Sequence, residues 1–190
     1  KVGPVLFKAI VAYAGSALAF FSFTPTQVAK IPRIGRRLLE IRQQRESLLS
    51  KAAVLLTNQD KEGYRLLTAL DKDFPNRLKA NSDAPVLLFT KGTADLNAPR
   101  TVGIVGTRSA TPYGKAITKK ICEDLIPYQP SIVSGLAYGI DIEAHRAALN
   151  LGLPTIAVLG SPIHLIYPAA HQGTAAQLIQ ENGSMLSEYG

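Results

Sequence analysis

The sequence predicts an α/β protein with a doubly wound, mainly parallel sheet, preceded by a small all-helical domain. Three observations carry this. From about residue 60, short apolar runs alternate with helical stretches of a dozen or so residues, the pattern of strands buried on both faces and joined by helices. The first 58 residues show helix signals only. The charge divides in the same way: residues 1–51 hold nine Lys/Arg against two Asp/Glu, and residues 52–190 hold twelve of each, so the whole net charge of +7 lies in the first part of the chain. A basic module beside a neutral one suits a polyanion or an acidic surface as partner, or is simply a solvated helix face.

The 190 residues give room for one full domain or one with a small companion. An apolar share of 46% argues against disorder. A lone cysteine, Cys122, excludes an internal disulfide framework and suits a reducing cytoplasm. No Cys/His spacing resembles a zinc site. The chain opens on Lys1 and is expected to lack its native start, with no signal peptide to read.

Residues 2–23 are strongly apolar, but Lys8 interrupts them and Gly15–Ser16 reads as a helix stop followed by an N-cap. Each half is too short for a bilayer, so two short packed helices and no membrane association are expected. Leu38, Ile41, Arg45 and Leu48 are spaced along one helix with an apolar face and a basic back. The preceding "IPRIG" resembles a helix-hairpin-helix turn or an ordinary helical turn. The expected domains are 1–58 and 59–190. Residues 60–100, with Pro75, Pro85 and Pro99, read as a lead-in packed on the sheet. Strands are expected at Val86–Phe89, Val102–Val105, Ile132–Ser134, Thr155–Leu159 and Met185–Ser187. Helices are expected near 113–126, 141–150 and 170–181, with Gly152 and Gly183 as C-terminal caps.

Ligands of open parallel sheets bind beyond the carboxyl ends of the strands. Three loops fall there: "GTRSATPYG", "SGLAYGID" and "GSPIHLIYP". In the first, Gly103, Gly106 and Gly114 lack the G-x-G-x-x-G spacing of a dinucleotide fingerprint, and no Gly-Lys-Ser/Thr completes a P-loop. Arg108 offers a guanidinium suited to a bidentate phosphate contact, or else pairs with an acid. Thr107, Ser109 and the amides near Pro112–Gly114 are placed to complete a cradle. The second loop offers Ser134, the amides of Gly135 and Gly139, and the ring of Tyr138, which either stacks on a base or packs between loops. Asp141 and His145, four residues apart, form an acid/base pair or are a helix cap and a buried, hydrogen-bonded histidine. No nucleophile elbow, carboxylate pair or metal cluster is visible, so these residues are better suited to holding phosphate than to breaking bonds.

"VGIVGTRSATPYG", "IVSGLAYGIDIEAHRAAL", "TIAVLGSPIHLIYP" and "GSMLSEYG" occur in an order and spacing that resemble the DNA-processing protein A (Smf) family. "LDKDFPNRLKANSDAPVLLFTKG" resembles that family's approach to its sheet, and "GPVLFKAIVAYAGS" with "IPRIG" resembles its N-terminal helical domain. The similarity covers nearly the whole chain. It implies a Rossmann-like, non-enzymatic, cytoplasmic protein that binds single-stranded DNA, protects incoming strands in natural transformation and helps load the RecA recombinase, commonly as a dimer. It implies no cofactor. Carried over by motif, the DNA-binding residues are Gly106, Thr107, Arg108, Ser109, Gly114, Lys115, Ser134, Gly135, Tyr138 and Gly139. Many members have Arg or Lys in place of Tyr138, so one phosphate-binding cation of the family is missing here. Lys115, Lys119 or Lys120 would compensate if their helix faces the groove. Many also have Asn after the "YP" motif, where His171 stands here at a slightly different setting. The family's sheet continues beyond "SEYG", so its remaining strands and any winged-helix domain are expected to lie outside this chain. Two rival readings remain: a nucleotide-binding enzyme of the nucleoside-monophosphate phosphoribohydrolase type, and an assembly module whose basic helices bind an acidic partner.

Overall fold

The computed structural model describes residues 2–31 and 36–190. The chain divides into two compact units, Lys1–Lys61 with Asn76–Val86, and Glu62–Pro75 with Leu87–Gly190. The sequence places residues 76–86 with the sheet, whereas the structure gives them to the helical unit.

In the helical unit, α1 (Pro4–Ala14) starts on a proline at its first position and stops at Gly15, whose φ of 80° is left-handed and whose N–H returns to the Val11 carbonyl. Ser16 then caps α2 (Ala17–Phe20) by accepting from the Ala19 amide at 3.0 Å. Thr24 and Gln27 form a capping box over α3 (Pro25–Ala29). The apolar N-terminal segment is thus a set of short helices. Their core is Ile10, Phe20, Val28, Ile31 and Leu38. The single helix expected through Leu48 is two, α4 (Arg36–Gln43) and α5 (Arg45–Glu62), separated at Gln44. α6 (Asn76–Lys79) belongs to this unit, where the Lys8 ammonium donates to the carbonyls of Asn81 and Ser82. Residues 32–35 of the "IPRIG" turn lie outside the described residues. No helix among the described residues is long and apolar enough to cross a membrane.

The second unit is built on a six-stranded mixed sheet in the order β1-β2-β6-β5-β4-β3. β3 (Thr101–Gly103), β4 (Ser131–Ser134), β5 (Thr155–Leu159) and β6 (Ser184–Ser187) are parallel. β1 (Arg65–Thr68) and β2 (Leu87–Gly92) form an antiparallel pair, and β2 runs antiparallel to β6. The expected lead-in therefore supplies an extra strand, β1, at the sheet edge. α7 (Pro112–Leu125), α8 (Ile140–Asn150) and α9 (Gln172–Gln180) make the crossovers. The parallel strands follow one another in one direction, so right-handed crossovers set these helices in a row on one face. Winding of the second face needs a reversal of strand order, and none occurs among the parallel strands described.

Gly152 has a φ of 67° at the end of α8, as a C-terminal cap requires. After α9 the left-handed residue is Asn182, at 58°, not the expected Gly183. Gly183 is a glycine for a different reason: a Cβ there would stand 2.5 Å from the Leu178 carbonyl and 2.6 Å from that of Thr155.

One core cluster joins Leu136, Ile142, Leu149, Ala157, Leu178 and Met185, and a second joins Ile132, Ala144, Ala148 and Leu153. His145 sits in this interior at 0% exposure. Its Nδ1 lies 2.8 Å from the Thr155 hydroxyl, which donates to the Ile132 carbonyl at 2.9 Å. The hydroxyl has one proton, so that geometry assigns the N–H to Nδ1. Burial pushes the His145 pKa down to about 4, with the nearby Ser134 backbone opposing the shift and His171 adding to it.

This fixes an acid sensitivity. Between about pH 6.5 and 4 the unfolded chain binds a proton at His145 that the folded protein does not. Stability is complete above pH 6.5 and falls through that window, by ~3 kcal/mol in all at about 1.36 kcal/mol per unit. Urea midpoints from pH 7 to 4 should show this decline, and His145→Gln should remove its His-linked part. An unchanged slope in that variant would place the acid sensitivity in other groups.

Candidate functional site

Three loops leave the carboxyl ends of β3, β4 and β5 and meet at the edge of the sheet. Their approach is set by Asp141, near the start of α8 and 7% exposed. One carboxylate oxygen accepts from the Gly106 amide at 3.4 Å, the other from the Gly135 amide at 3.2 Å. The acid therefore ties the first loop to the second. It is not the cap of its helix, since the N-cap position is Gly139 with no side-chain hydrogen bond. Nor does it pair with His145, which turns into the core toward Thr155.

The glycines are dictated by this closeness. A Cβ at Gly135 would stand 2.7 Å from Asp141 Oδ2, and one at Gly106 would stand 2.6 Å from the Ile140 side chain. Gly139 has a φ of 82°, and a Cβ there would overlap the Thr107 carbonyl. That carbonyl accepts from the Ile140 amide at 3.1 Å, a second tie between the loops.

Arg108, Gly135 and Tyr138 line one cavity of about 380 Å³, together with Ser161, Leu165 and Tyr167 of the third loop. Arg108 is exposed and makes no ion pair or side-chain hydrogen bond among the described residues. It is also the only Arg or Lys within the three loops. The Tyr138 ring is 48% exposed and meets the buried His171 ring edge to face, with centroids 4.9 Å apart.

Several of the other expected groups are engaged within the protein. Ser134 is 3% exposed, and its hydroxyl donates to the Ile104 carbonyl at 2.6 Å, so it faces the sheet rather than the crevice. The amides of Gly106 and Gly135 are taken by Asp141, and the Gly114 amide by Thr111 at the cap of α7. Thr107 and Ser109 form a local turn, the Ser109 amide donating to the Thr107 hydroxyl at 3.2 Å. Lys115 pairs with Glu143 of α8 at 3.6 Å, and Lys119 and Lys120 pair along α7 with Glu123 and Asp124.

Sequence reasoning does not single out Ser161, Leu165 or Tyr167. The strand-end glycine of their loop places the loop itself, but nothing in its individual side chains signals the cavity. Ser161 is fixed by donating to the Leu165 carbonyl at 2.7 Å. Tyr167 is 70% exposed and precedes a cis Pro168. Among the described residues no group of three or more His, Cys, Asp or Glu could hold a metal ion. Cys122 is buried at the back of α7, and desolvation raises its thiol pKa.

The parallel strands, glycine-bearing loops and cationic crevice at their carboxyl edge define a Rossmann-like α/β protein. The family model of DNA recombination-mediator protein A matches residues 65–190, and the chain belongs to that family. It is 34% identical to Protein Smf of Synechocystis over 99% of this chain and 48% of that one. It is 42% identical to DNA processing protein DprA of Streptococcus pneumoniae over 64% of this chain and 42% of that one. The chain thus spans about half the length of these curated relatives, or less. Its structure is similar to that of S. pneumoniae DprA, with a TM-score of 0.75 and 28% identity over 100% of this chain and 64% of that one. It is also similar to DNA processing protein A of Helicobacter pylori, whose structure describes a single-stranded DNA binding mode, with a TM-score of 0.57 and 35% identity over 66% of this chain and 55% of that one.

The Asp141 tie can be tested by stability. Asp141→Ala leaves two loop amides without their acceptor. The hydrogen bonds are long for charged ones, so the expected loss is ~2–3 kcal/mol in urea denaturation. Asp141→Asn, which keeps one carbonyl acceptor, should lose less. An Ala variant as stable as the wild type would show that the loops are held by other contacts.

Proposed function

We propose that this chain binds single-stranded DNA as part of a recombination mediator of natural transformation, with Arg108 gripping a backbone phosphate and Tyr138 beside it. The observation that carries the reading is the unpaired Arg108 guanidinium in the strand-end cavity, where the other loop-bordering cations, Lys115, Lys119 and Lys120, are paired with carboxylates. The H. pylori relative's single-stranded DNA binding mode supports it. A guanidinium holds two phosphate oxygens at once and stays charged at any physiological pH.

The crevice works by holding. The first loop presents Arg108, the second presents Tyr138, and the third closes the cavity with Tyr167. No step of bond cleavage is assigned to these groups. The remaining expected contacts, Thr107, Ser109 and Gly139, lie on the same two loops and would add backbone and hydroxyl donors of secondary weight. The basic helical unit adds a sequence-independent attraction to phosphate. Within the same reading the protein is cytoplasmic, acts as a dimer, protects incoming strands and helps load the RecA recombinase.

Arg108→Ala should weaken single-stranded DNA binding by ~1.5–3 kcal/mol, roughly ten- to a hundred-fold, and leave the melting temperature nearly unchanged. The salt dependence should become shallower by about 0.7 in log–log slope, the share of one neutralised phosphate. Fluorescence anisotropy titrations over a range of salt concentrations, run beside thermal melts, measure both. Unchanged binding with a large drop in melting temperature would make Arg108 a structural residue and sink the reading.

A further inference from the structure

The second loop depends on a side chain that lies outside it. His171 ends a short 3-10 turn, Ala169–His171, at the start of α9, and is 3% exposed. Its Nδ1 donates to the Leu136 carbonyl at 2.7 Å. Leu136 is fully buried and left-handed, with a φ of 59°. A leucine adopts that conformation only where its surroundings impose it. The hydrogen bond from His171 anchors the carbonyl of that turned residue. Two residues further on, the Tyr138 ring meets the His171 ring at an interplanar angle of 72°. His171 therefore holds the loop twice, once by its backbone and once by its aromatic ring.

Tyr138 carries no charge to offer a phosphate, and its half-exposed ring stands on the same cavity as Arg108 and Tyr167. Aromatic rings beside a backbone grip form a stacking platform for unpaired bases. We propose that His171 is a positioning residue: it fixes Tyr138 at the mouth of the cavity, so that the ring receives a base of the strand whose phosphate lies on Arg108. This rests on the single-stranded DNA reading above.

The test uses the whole chain and a single-stranded oligothymidylate carrying one 2-aminopurine. Affinity is read by anisotropy and stacking by 2-aminopurine fluorescence at saturation. Tyr138→Ala should weaken binding roughly five- to a hundred-fold and alter the fluorescence of the bound base. His171→Ala should reproduce a large part of both effects, although its side chain touches no DNA. In the Tyr138→Ala background it should add little. His171→Asn keeps a donor for the Leu136 carbonyl and loses the ring, so it should recover part of the affinity. If His171→Ala does not fold, the cycle is read with His171→Asn, whose effect should likewise vanish when Tyr138 is alanine. Additive effects of the two positions, or wild-type affinity and fluorescence in the His171 variants, would overturn the proposal. Arg108→Ala, run in parallel, separates the two levels. If it weakens binding while His171 and Tyr138 stay additive, only the positioning role fails. If it leaves binding unchanged, the DNA reading fails and the positioning role with it.

Discussion

The buried carboxylate of Asp141 is the constraint on which the crevice depends. It sits on α8, which packs against β4 and β5, and it reaches the backbone of two loops at once. A buried charge is tolerable only when its lone pairs are taken, and here two amides of neighbouring loops take them. The requirement runs both ways. The amides need an acceptor, the acceptor needs access to backbone, and that access needs glycine at 135, while the neighbouring Ile140 side chain needs it at 106. The site's glycines are thus set by Asp141 and by the close approach of the two loops around it.

Because those amides are already satisfied inside the protein, the loops are formed before any ligand arrives. Among the described residues the Arg108 guanidinium has no ion-pair partner, and the rings of Tyr138 and Tyr167 are exposed on the same cavity. A preformed crevice loses little of its own freedom on binding, so more of each contact appears as affinity. Lys115, Lys119 and Lys120 are tied to carboxylates at 2.6–3.8 Å, whereas Arg108 has no such partner among the described residues. The excess positive charge lies in the first 51 residues, apart from the loops that carry Arg108.

Most of the fold was legible because it is local. The runs Ile132–Ser134 and Thr155–Leu159 fall on β4 and β5, and Gly15–Ser16 ends one helix and caps the next. β1 was not legible because Arg65–Thr68 is only four residues and its strand character comes from pairing with Leu87–Thr90, some twenty residues away. The three strand-end loops and the place of Arg108 on the cavity they form were legible, the side-chain directions less so. Ser134 reads as a crevice hydroxyl in "SGLAYG", yet its place at the end of β4 aims it at Ile104. Asp141 and His145 share a helical face by spacing, yet one reaches forward to two loops and the other back to Thr155. Both outcomes depend on which strand lies next door, and no local pattern encodes that.

The path of the chain between the two units bears on how the protein is made. The polypeptide passes from the helical unit into the sheet unit after Lys61, returns to it at Asn76, and leaves again after Val86. A cut between residues 58 and 59 would sever α5 and strip the helical unit of Asn76–Val86. During synthesis, β1 emerges before the strand it pairs with, and must wait while α6 and the rest of that returning segment are completed. The core of the helices, Ile10, Phe20, Val28, Ile31 and Leu38, is complete in sequence well before that segment is made, whereas the first sheet pairing needs Leu87–Thr90. In the parallel core each strand after β3 has as its neighbour the one translated just before it, so every new strand meets a partner already made.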